Sequence, residues 1–577
     1  MHKNLKTLLL LFSLMVSAPV LAQGDKGPQW LSNAVFYQIY PSSFMDSDGN
    51  GIGDLPGITS RLDYVQSLGV NTIWLNPIFE SGWFDGGYDV IDFYKVDPRF
   101  GTNTDLVNLV KAAHKRGIKV CLDLVAGHTS VECPWFKQSV QKDANGRYSD
   151  YYIWTDSISQ REQDLIVQRH QSPNPASDGR GHYVESNAPR AKYYLKNYYE
   201  CQPALNYGYA NPNPKHAWEQ GVNAPGPQAV RREMRNVMAF WFDKGVDGFR
   251  VDMAASLVKN DADHTETEKL WKEMREWKDK KYPECALIAE WGRPEFAIPA
   301  GFNIDFMLHF NNSGYPSLFF DKGTVYGDKY KCGHCFFSES GEGSTSEFFK
   351  NFMRNYNRTR DIGYIAIPTA NHDFQRLNVG TRNTLEQLKV VMTFFFTMPG
   401  TPFLYYGDEI GMKYIENAPN KEGANERAGS RTPMQWTSGS TAGFSTCAPE
   451  QLYLPIDTDN GRITVASQEK DNHSMLNYVR SLIRLRHSSE ALNNNGGWEL
   501  VSKVNQPYPM IYKRTDGKEI YIIALNPSEH DVNATISSQG KKAVVVSMSG
   551  KAKYRANPKG DFVKMEKFTA AVFRIGK

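Results

Sequence analysis

Four short stretches of this sequence set acids and histidines at the ends of apolar runs: Asp123-Leu124-Val125-Ala126-Gly127-His128, Gly248-Phe249-Arg250-Val251-Asp252, Ala289-Glu290-Trp291 and Asn371-His372-Asp373. A single aspartate at a strand end is more often a helix cap or a loop anchor. Asp252, Glu290 and Asp373 converging in one cavity would be another matter, because like charges within a few ångströms raise one another's pKa and resist joint ionisation. That cost points to chemistry. One ionised carboxylate acting as nucleophile beside one protonated carboxyl acting as acid cleaves a glycosidic bond with retention, and a third acid can hold sugar hydroxyls. A calcium or magnesium ion is the competing use for a carboxylate cluster, but the histidines and Arg250 suit sugar oxygens better than a hard cation. Arg250 stands two residues before Asp252, so on a strand both side chains leave the same face, where the guanidinium favours the ionised carboxylate.

Such residues converge when they end parallel strands of a closed barrel, whose active sites lie at the C-terminal strand ends. Apolar, strand-like runs, each followed by a longer helical periodicity, occur at 34–40, 71–79, 119–125, 248–253, 287–291, 306–310, 365–371 and 403–406. They predict an α/β fold, a (β/α)8 TIM barrel. Residues 130–215 carry Tyr, Pro, Asn and Gln without clear period and are too long for an ordinary connection, so an inserted domain is expected after strand 3. From residue 495 short alternating strands punctuated by turn residues predict a C-terminal antiparallel β-sandwich. The expected plan is therefore barrel 23–129, insert 130–215, barrel 216–494 and sandwich 495–577, preceded by a signal peptide over 1–22.

Composition excludes several classes. With 41% apolar and 22% charged residues in 577, the chain is neither collagen-like, coiled-coil nor wholly disordered. A formal net charge of +3 gives no reason to expect nucleic acid or an anionic membrane as partner. Aromatic content of 13% exceeds what a core alone needs, and rings that stack on sugars would account for part of it. The basic start Met1 to Lys6, the apolar run Leu8 to Val16 and the small-residue end Val20-Leu21-Ala22 read as a secretory signal peptide. Export to the periplasm or the exterior is expected, without lipid attachment, since the residue directly after the cleavage site is Gln23 and not Cys, and without membrane insertion. Seven cysteines in an oxidising compartment permit up to three disulfides. Cys133 and Cys201 bracket the insert and are expected within bridging distance. Cys332-Gly333-His334-Cys335 is expected to close a local disulfide loop, a zinc site needing two further ligands absent nearby.

Together the four regions resemble, in order and spacing, the motif regions of the α-amylase family of glycoside hydrolases (family 13), over essentially all of residues 30–577. Asp46-Ser47-Asp48-Gly49-Asn50-Gly51-Ile52-Gly53-Asp54, Gly87-Tyr88-Asp89, Asp150-Tyr151-Tyr152-Ile153-Trp154, Pro399-Gly400-Thr401-Pro402 and Arg431-Thr432-Pro433-Met434-Gln435-Trp436 match as well. The resemblance implies Asp252 as nucleophile, Glu290 as general acid/base and Asp373 as the acid that binds and distorts the first sugar. It implies Asp85, Tyr88, His128, Arg250 and His372 as the remaining lining, with both imidazoles donating to sugar hydroxyls. Glu290 would need a pKa near the working pH, and Asp252 would stay ionised.

The Arg431 to Trp436 segment resembles the oligosaccharide-acting branch of α-glucosidases, oligo-1,6-glucosidases, sucrose isomerases and trehalose synthases. By that likeness Arg431 pairs with Asp85 around the terminal 4-hydroxyl, admitting a chain end and excluding a chain middle. The implied activity is exo-acting hydrolysis of α-glucosidic bonds in malto- or isomalto-oligosaccharides. A glucosyl isomerase or transferase and an endo-acting α-amylase are the alternatives; a non-catalytic sugar-binding homologue is disfavoured by the three intact acids. Ala204 replaces an Asp usual in that branch, and Met253 is neither the Val nor the small residue associated with one linkage, so linkage stays open. Gly127 stands where endo-amylases carry an Asn that orders a calcium-dependent insert, so that calcium site is expected to be missing. The loop with Asp46, Asp48, Asn50, Ile52 and Asp54 offers oxygens at alternate positions with Gly51 at the turn, like the start of an EF-hand loop, though Gly57 takes the place of the terminal Glu. A structural Ca2+ or Mg2+ is expected there, and no organic cofactor.

Overall fold

The computed structural model describes residues 26–141, 146–172, 179–459 and 463–576, so the expected signal peptide lies outside the described residues. Eight strands, β1 (Phe36–Ile39), β2 (Thr72–Leu75), β3 (Lys119–Leu124), β4 (Gly248–Val251), β5 (Ala286–Ala289), β6 (Ile304–Phe306), β7 (Tyr364–Pro368) and β8 (Thr401–Tyr405), form a closed barrel. Each pairs in parallel with its neighbours in sequence, and β8 closes on β1. Strands covered on one face by the barrel interior and on the other by helices must be apolar throughout, which is why these runs lack alternation; every residue of β1, β2, β4 and β5 is buried. Packed rings account for much of the aromatic content: Phe36 stacks on Phe403 with centroids 4.1 Å apart, and Phe319 on Phe337 at 5.3 Å.

The sixth strand ends earlier than the 306–310 run predicts. After Met307 N–H makes a last ladder bond to Ala366 O at 2.8 Å, the chain turns through Asn311 and Asn312 at positive φ. Residues 308–310 thereby become loop above the barrel instead of strand.

The segment after β3 carries a three-stranded antiparallel sheet, Trp154–Thr155, Tyr193–Leu195 and Tyr183–Glu185, and the helix Gln160–His170. A bridge from His128 to Ala204 stitches it to the end of β3, and one from Tyr152 to Leu205 ties it internally. C-terminal to the barrel, a five-stranded and a three-stranded antiparallel sheet enclose a second core that includes Ile511, Ile522, Val563 and Phe573.

All seven cysteines are free thiols, which corrects both expected disulfides. Cys133 is the buried residue preceding helix Pro134–Ser139, with its thiol set against the hydroxyls of Thr129 and Tyr152. Cys201 meets that region through its backbone, its carbonyl accepting the Val131 N–H at 2.9 Å. Cys335 is buried with Sγ accepting from Arg382 Nη1 at 3.7 Å, while Cys332 is only partly buried.

Candidate active site

The strand ladders fix the acids at the C-terminal mouth. Asp252 N–H bonds Leu124 O at 3.0 Å and Glu290 N–H bonds Val251 O at 2.9 Å, so each side chain starts one residue past the end of its strand. The β3–β4 register sets Asp123 opposite Arg250. The Arg250 guanidinium, 2% exposed, then meets three acids: Asp123 Oδ1 at 2.8 Å, Asp252 Oδ1 at 3.0 Å and Glu290 Oε1 at 2.7 Å.

One cation shared among three buried acids does not hold all of them ionised. Burial raises Glu290 to about 8 and Asp252 to about 7 against the pull of Arg250, and Asp123 to about 6. Arg250 does favour the ionised form of Asp252, but desolvation outweighs a divided guanidinium. Glu290 holds its proton longest and hydrogen-bonds Asp252. Its other oxygen accepts the Met253 N–H at 3.0 Å, aimed there by a left-handed turn with Met253 at φ +43°.

Asp373 goes the opposite way. Burial pushes it up, but the charges packed around it hold it well below the carboxylate range. His372 Nε2 lies 3.1 Å from Oδ2, and Arg427 and Arg431 lie 3.3 and 3.4 Å from Oδ1. Burial keeps His372 neutral, so the arginines carry the effect.

Arg431 does not reach Asp85, which corrects the expected pair. It is 1% exposed behind Asp373, donating from Nε to His372 O at 2.7 Å. The cation beside Asp85 is Arg427, four residues earlier on the short 3-10 helix Asn425–Ser430, with Nη2 2.9 Å from Asp85 Oδ1 and 2.7 Å from Gly423 O. Gln202 Nε2 donates to the other Asp85 oxygen at 2.9 Å. Both partners escaped the sequence reading; the signal available was a second arginine one helical turn before the motif.

The histidines are also placed differently. His372 accepts at Nδ1 from Gln38 Nε2 (3.0 Å) and Asn76 Nδ2 (3.1 Å), so Nε2 carries the proton and points at Tyr88 Oη, 2.8 Å away, which in turn donates to Asp123 at 2.9 Å. His128 donates from Nε2 to Tyr88 O at 2.7 Å and accepts at Nδ1 from Asn197 Nδ2 at 2.9 Å; burial lowers it to about 4. Neither imidazole has an N–H free for a sugar hydroxyl, contrary to expectation. Asn197 also explains Gly127, since a Cβ there would lie 2.7 Å from Asn197 Nδ2.

The cavity over these groups encloses about 470 Å3. Asp85, Tyr88, His128, Asp252, Glu290 and Asp373 line it; Arg250, His372 and Arg431 stand behind the lining. Tyr198 and Tyr330, both substantially exposed, form its lip with the ion pair Lys329–Glu426.

Comparison with known proteins decides the family: the description "Alpha amylase, catalytic domain" matches residues 38–495. The chain belongs to the α-amylase family. It is 33% identical over 503 residues to trehalose synthase/amylase TreS of Mycobacterium tuberculosis, covering 80% of this chain and 76% of that protein. It is 31% identical over 571 residues to an oligo-1,6-glucosidase of Heyndrickxia coagulans, covering 88% and 93%. An isomaltulose synthase variant from Erwinia rhapontici NX5, solved with sucrose, superposes with a TM-score of 0.75 at 25% identity over 95% of this chain and 100% of that one. Trehalulose synthase MutB from Pseudomonas mesoacidophila MX-45, at 23% identity and TM-score 0.75, over 95% and 100%, shares the fold. This α-amylase-family chain is thus an enzyme of glycosidase type acting on α-glucosides.

In the loop after β1, the Asp46, Asp48 and Asp54 carboxylates come within 4.8 Å of one another. Asp46 accepts the N–H groups of Asp48, Gly49 and Gly51 and the Ser445 hydroxyl, and Asp54 caps the helix Leu55–Ser60. The Asn50 side-chain oxygen accepts the Ile52 N–H at 2.8 Å. All-oxygen donors with three carboxylates fit a hard cation. Among the described residues no helix is long and apolar enough to cross a membrane.

Proposed function

We propose that the protein is a retaining, exo-acting α-glucosidase of short α-glucan oligosaccharides. The observation that carries this reading is the Asp85–Arg427 ion pair, backed by Gln202, which walls off one end of the cavity beside Asp373. A terminal sugar fits against that wall, while a continuing chain would collide with it. Asp252 attacks the anomeric carbon as Glu290 delivers its proton to the leaving oxygen. Glu290, now ionised, takes a proton from water, and the resulting hydroxide oxygen displaces Asp252 from the sugar. Hydrogen-bond contact between Asp252 and Glu290 supports retention, because an inverting pair stands roughly 6.5–9.5 Å apart to admit water between them. Asp373, held ionised, accepts hydroxyls of the bound sugar. The test is incubation with maltose, isomaltose, sucrose and starch, with products separated and the first anomer followed by NMR. Glucose released from chain ends as the α-anomer is expected; rapid internal cleavage of starch overturns the exo assignment.

A glucosyl isomerase or transferase on the same residues is the second reading. It is favoured by the lip of Tyr198, Tyr330 and Lys329–Glu426, which narrows the route by which a departing sugar leaves and water enters. An isomeric disaccharide formed faster than glucose would select it.

The proposal extends to a structural Ca2+ or Mg2+ held by Asp46, Asp48 and Asp54 with oxygens of Asn50 and Ile52, fastening the loop after β1 to the segment around Ser445. Chelator should lower the melting temperature, and re-added calcium should restore it. Export with removal of residues 1–22 is part of the same reading, tested by N-terminal sequencing of the protein recovered outside the cytoplasm.

A further inference from the structure

His309 faces the cavity in a setting unlike that of the other imidazoles there. Its ring is boxed by Phe310, Phe320, Tyr326, Tyr330 and Phe374, with centroids 5.0 to 6.2 Å away. Nδ1 is sealed from solvent without a hydrogen-bond partner, and Nε2 has none among the described residues. An imidazole that lines a cavity, with one nitrogen sealed among rings and no protein partner for the other, is a group whose partner comes from elsewhere.

Its place in the cavity identifies that partner. The Phe310 ring packs on the bare α-carbon of Gly292, where a Cβ would lie 2.4 Å from Phe310 Cε2, and Asn311 Nδ2 donates to Trp291 O at 3.0 Å. The loop carrying His309 is thereby fastened to the two residues that follow Glu290. Asp85, Arg427 and Gln202 close the cavity beside Asp373. On the proposed assignment, Glu290 protonates the oxygen that leaves, so the wall attached to its backbone faces the departing sugar.

We infer that His309 is a specificity-determining residue that hydrogen-bonds a hydroxyl of the sugar on the leaving side of the scissile bond, while Phe310 and Tyr330, the rings beside it that line the cavity, cover that sugar's apolar face. The inference rests on the proposed role of Glu290 and on neither exo action nor hydrolysis. Burial favours the neutral ring, whose Nε2, the nitrogen not sealed from solvent, offers such a hydroxyl a donor or an acceptor according to the tautomer.

The test compares kcat/KM for 4-nitrophenyl α-glucoside, whose leaving group has no sugar hydroxyl, with kcat/KM for whichever of maltose, isomaltose, sucrose or maltoheptaose the wild type cleaves best. In His309→Phe, which keeps the box filled, and in His309→Ala, the natural substrate should lose about 30-fold and the aryl glucoside only about threefold. His309→Asn, retaining a donor and an acceptor, should recover part of the difference. Parallel losses on both substrates, or an unchanged ratio in both the Phe and Ala variants, overturn the inference. The proposed activity fails separately, in the wild-type product pattern, and Glu290→Gln tests the acid on which the inference rests.

Discussion

Two walls of the cavity are built on opposite principles. At the closed end every charged group is matched: Asp85 by Arg427 and Gln202, Asp373 by Arg427, Arg431 and His372. Along the wall that follows Glu290, Trp291, Leu308 and Phe310 present mostly apolar surface, and His309 lacks a partner. A wall whose polar groups satisfy one another before substrate arrives is rigid, and it selects one sugar by shape and by the hydrogen-bonding capacity left over. A wall of rings tolerates several sugars and linkages. The reacting acids serve both walls, so breaking them should have the largest effect. Asp252→Asn and Glu290→Gln should each lower turnover by roughly four orders of magnitude with the fold intact by circular dichroism. An aryl glucoside with a good leaving group should partly rescue Glu290→Gln but not Asp252→Asn. Near-normal turnover in either variant would remove the assignment of the centre and the comparison with it.

The closed end breaks next. Arg427→Ala leaves a buried Asp85 with only Gln202, and kcat/KM on disaccharides should fall about 100-fold while long chains are affected less. Arg431→Ala should act through the position and charge of Asp373. It should therefore depress long and short substrates alike and lower the melting temperature. Substrate-length dependence separates the two arginines; the reverse pattern would return the closing role to Arg431.

These arginines mark where the sequence ceased to be legible. The eight strands were readable because burial on both faces demands unbroken apolar runs, and the acids were readable because each follows such a run directly. Two arginines one turn apart at 427 and 431 are chemically equivalent in sequence, and only the 3-10 turn over Asn425–Ser430 decides which meets Asp85. His128 and His372 look like substrate donors until Gln38, Asn76 and Asn197, far away along the chain, engage their nitrogens. His309 was read as part of a strand, and the early end of β6 turns it into a wall of the cavity.

Acid–base behaviour sharpens the contrast from the centre outward. The productive form has Asp252 ionised and Glu290 protonated, and the pair titrates at about 7 and about 8. The kcat/KM profile should be a narrow bell between those values, read as properties of the coupled pair. On an aryl glucoside, Glu290→Gln should lose the alkaline limb. A profile flat to pH 10 would exclude Glu290 as the acid.

The smallest expected effect is on stability, and its sign follows from the same burial. Asp252 and Glu290 have folded values above their ordinary 3.8 and 4.5, so between those values and about 8 the native chain binds more protons than the unfolded one. Stability from these groups is complete below the ordinary values and declines as pH rises through the folded ones. Asp373, displaced downward, contributes stability above 3.8 that is lost only as pH falls toward its lower folded value. Asp252→Asn and Glu290→Gln should therefore melt higher than the wild type at pH 8, by roughly 2 °C, with the difference vanishing near pH 4. Asp373→Asn should melt lower at pH 8. The signs are opposed because Asp373 has two arginines beside it, one of them shared with Asp85, while the others divide a single arginine among three carboxyls. Calorimetry of the three variants at pH 4, 6 and 8 would measure that difference directly, and a lower melting point for all three at pH 8 would mean that shape, not charge, is what the native side chains supply there.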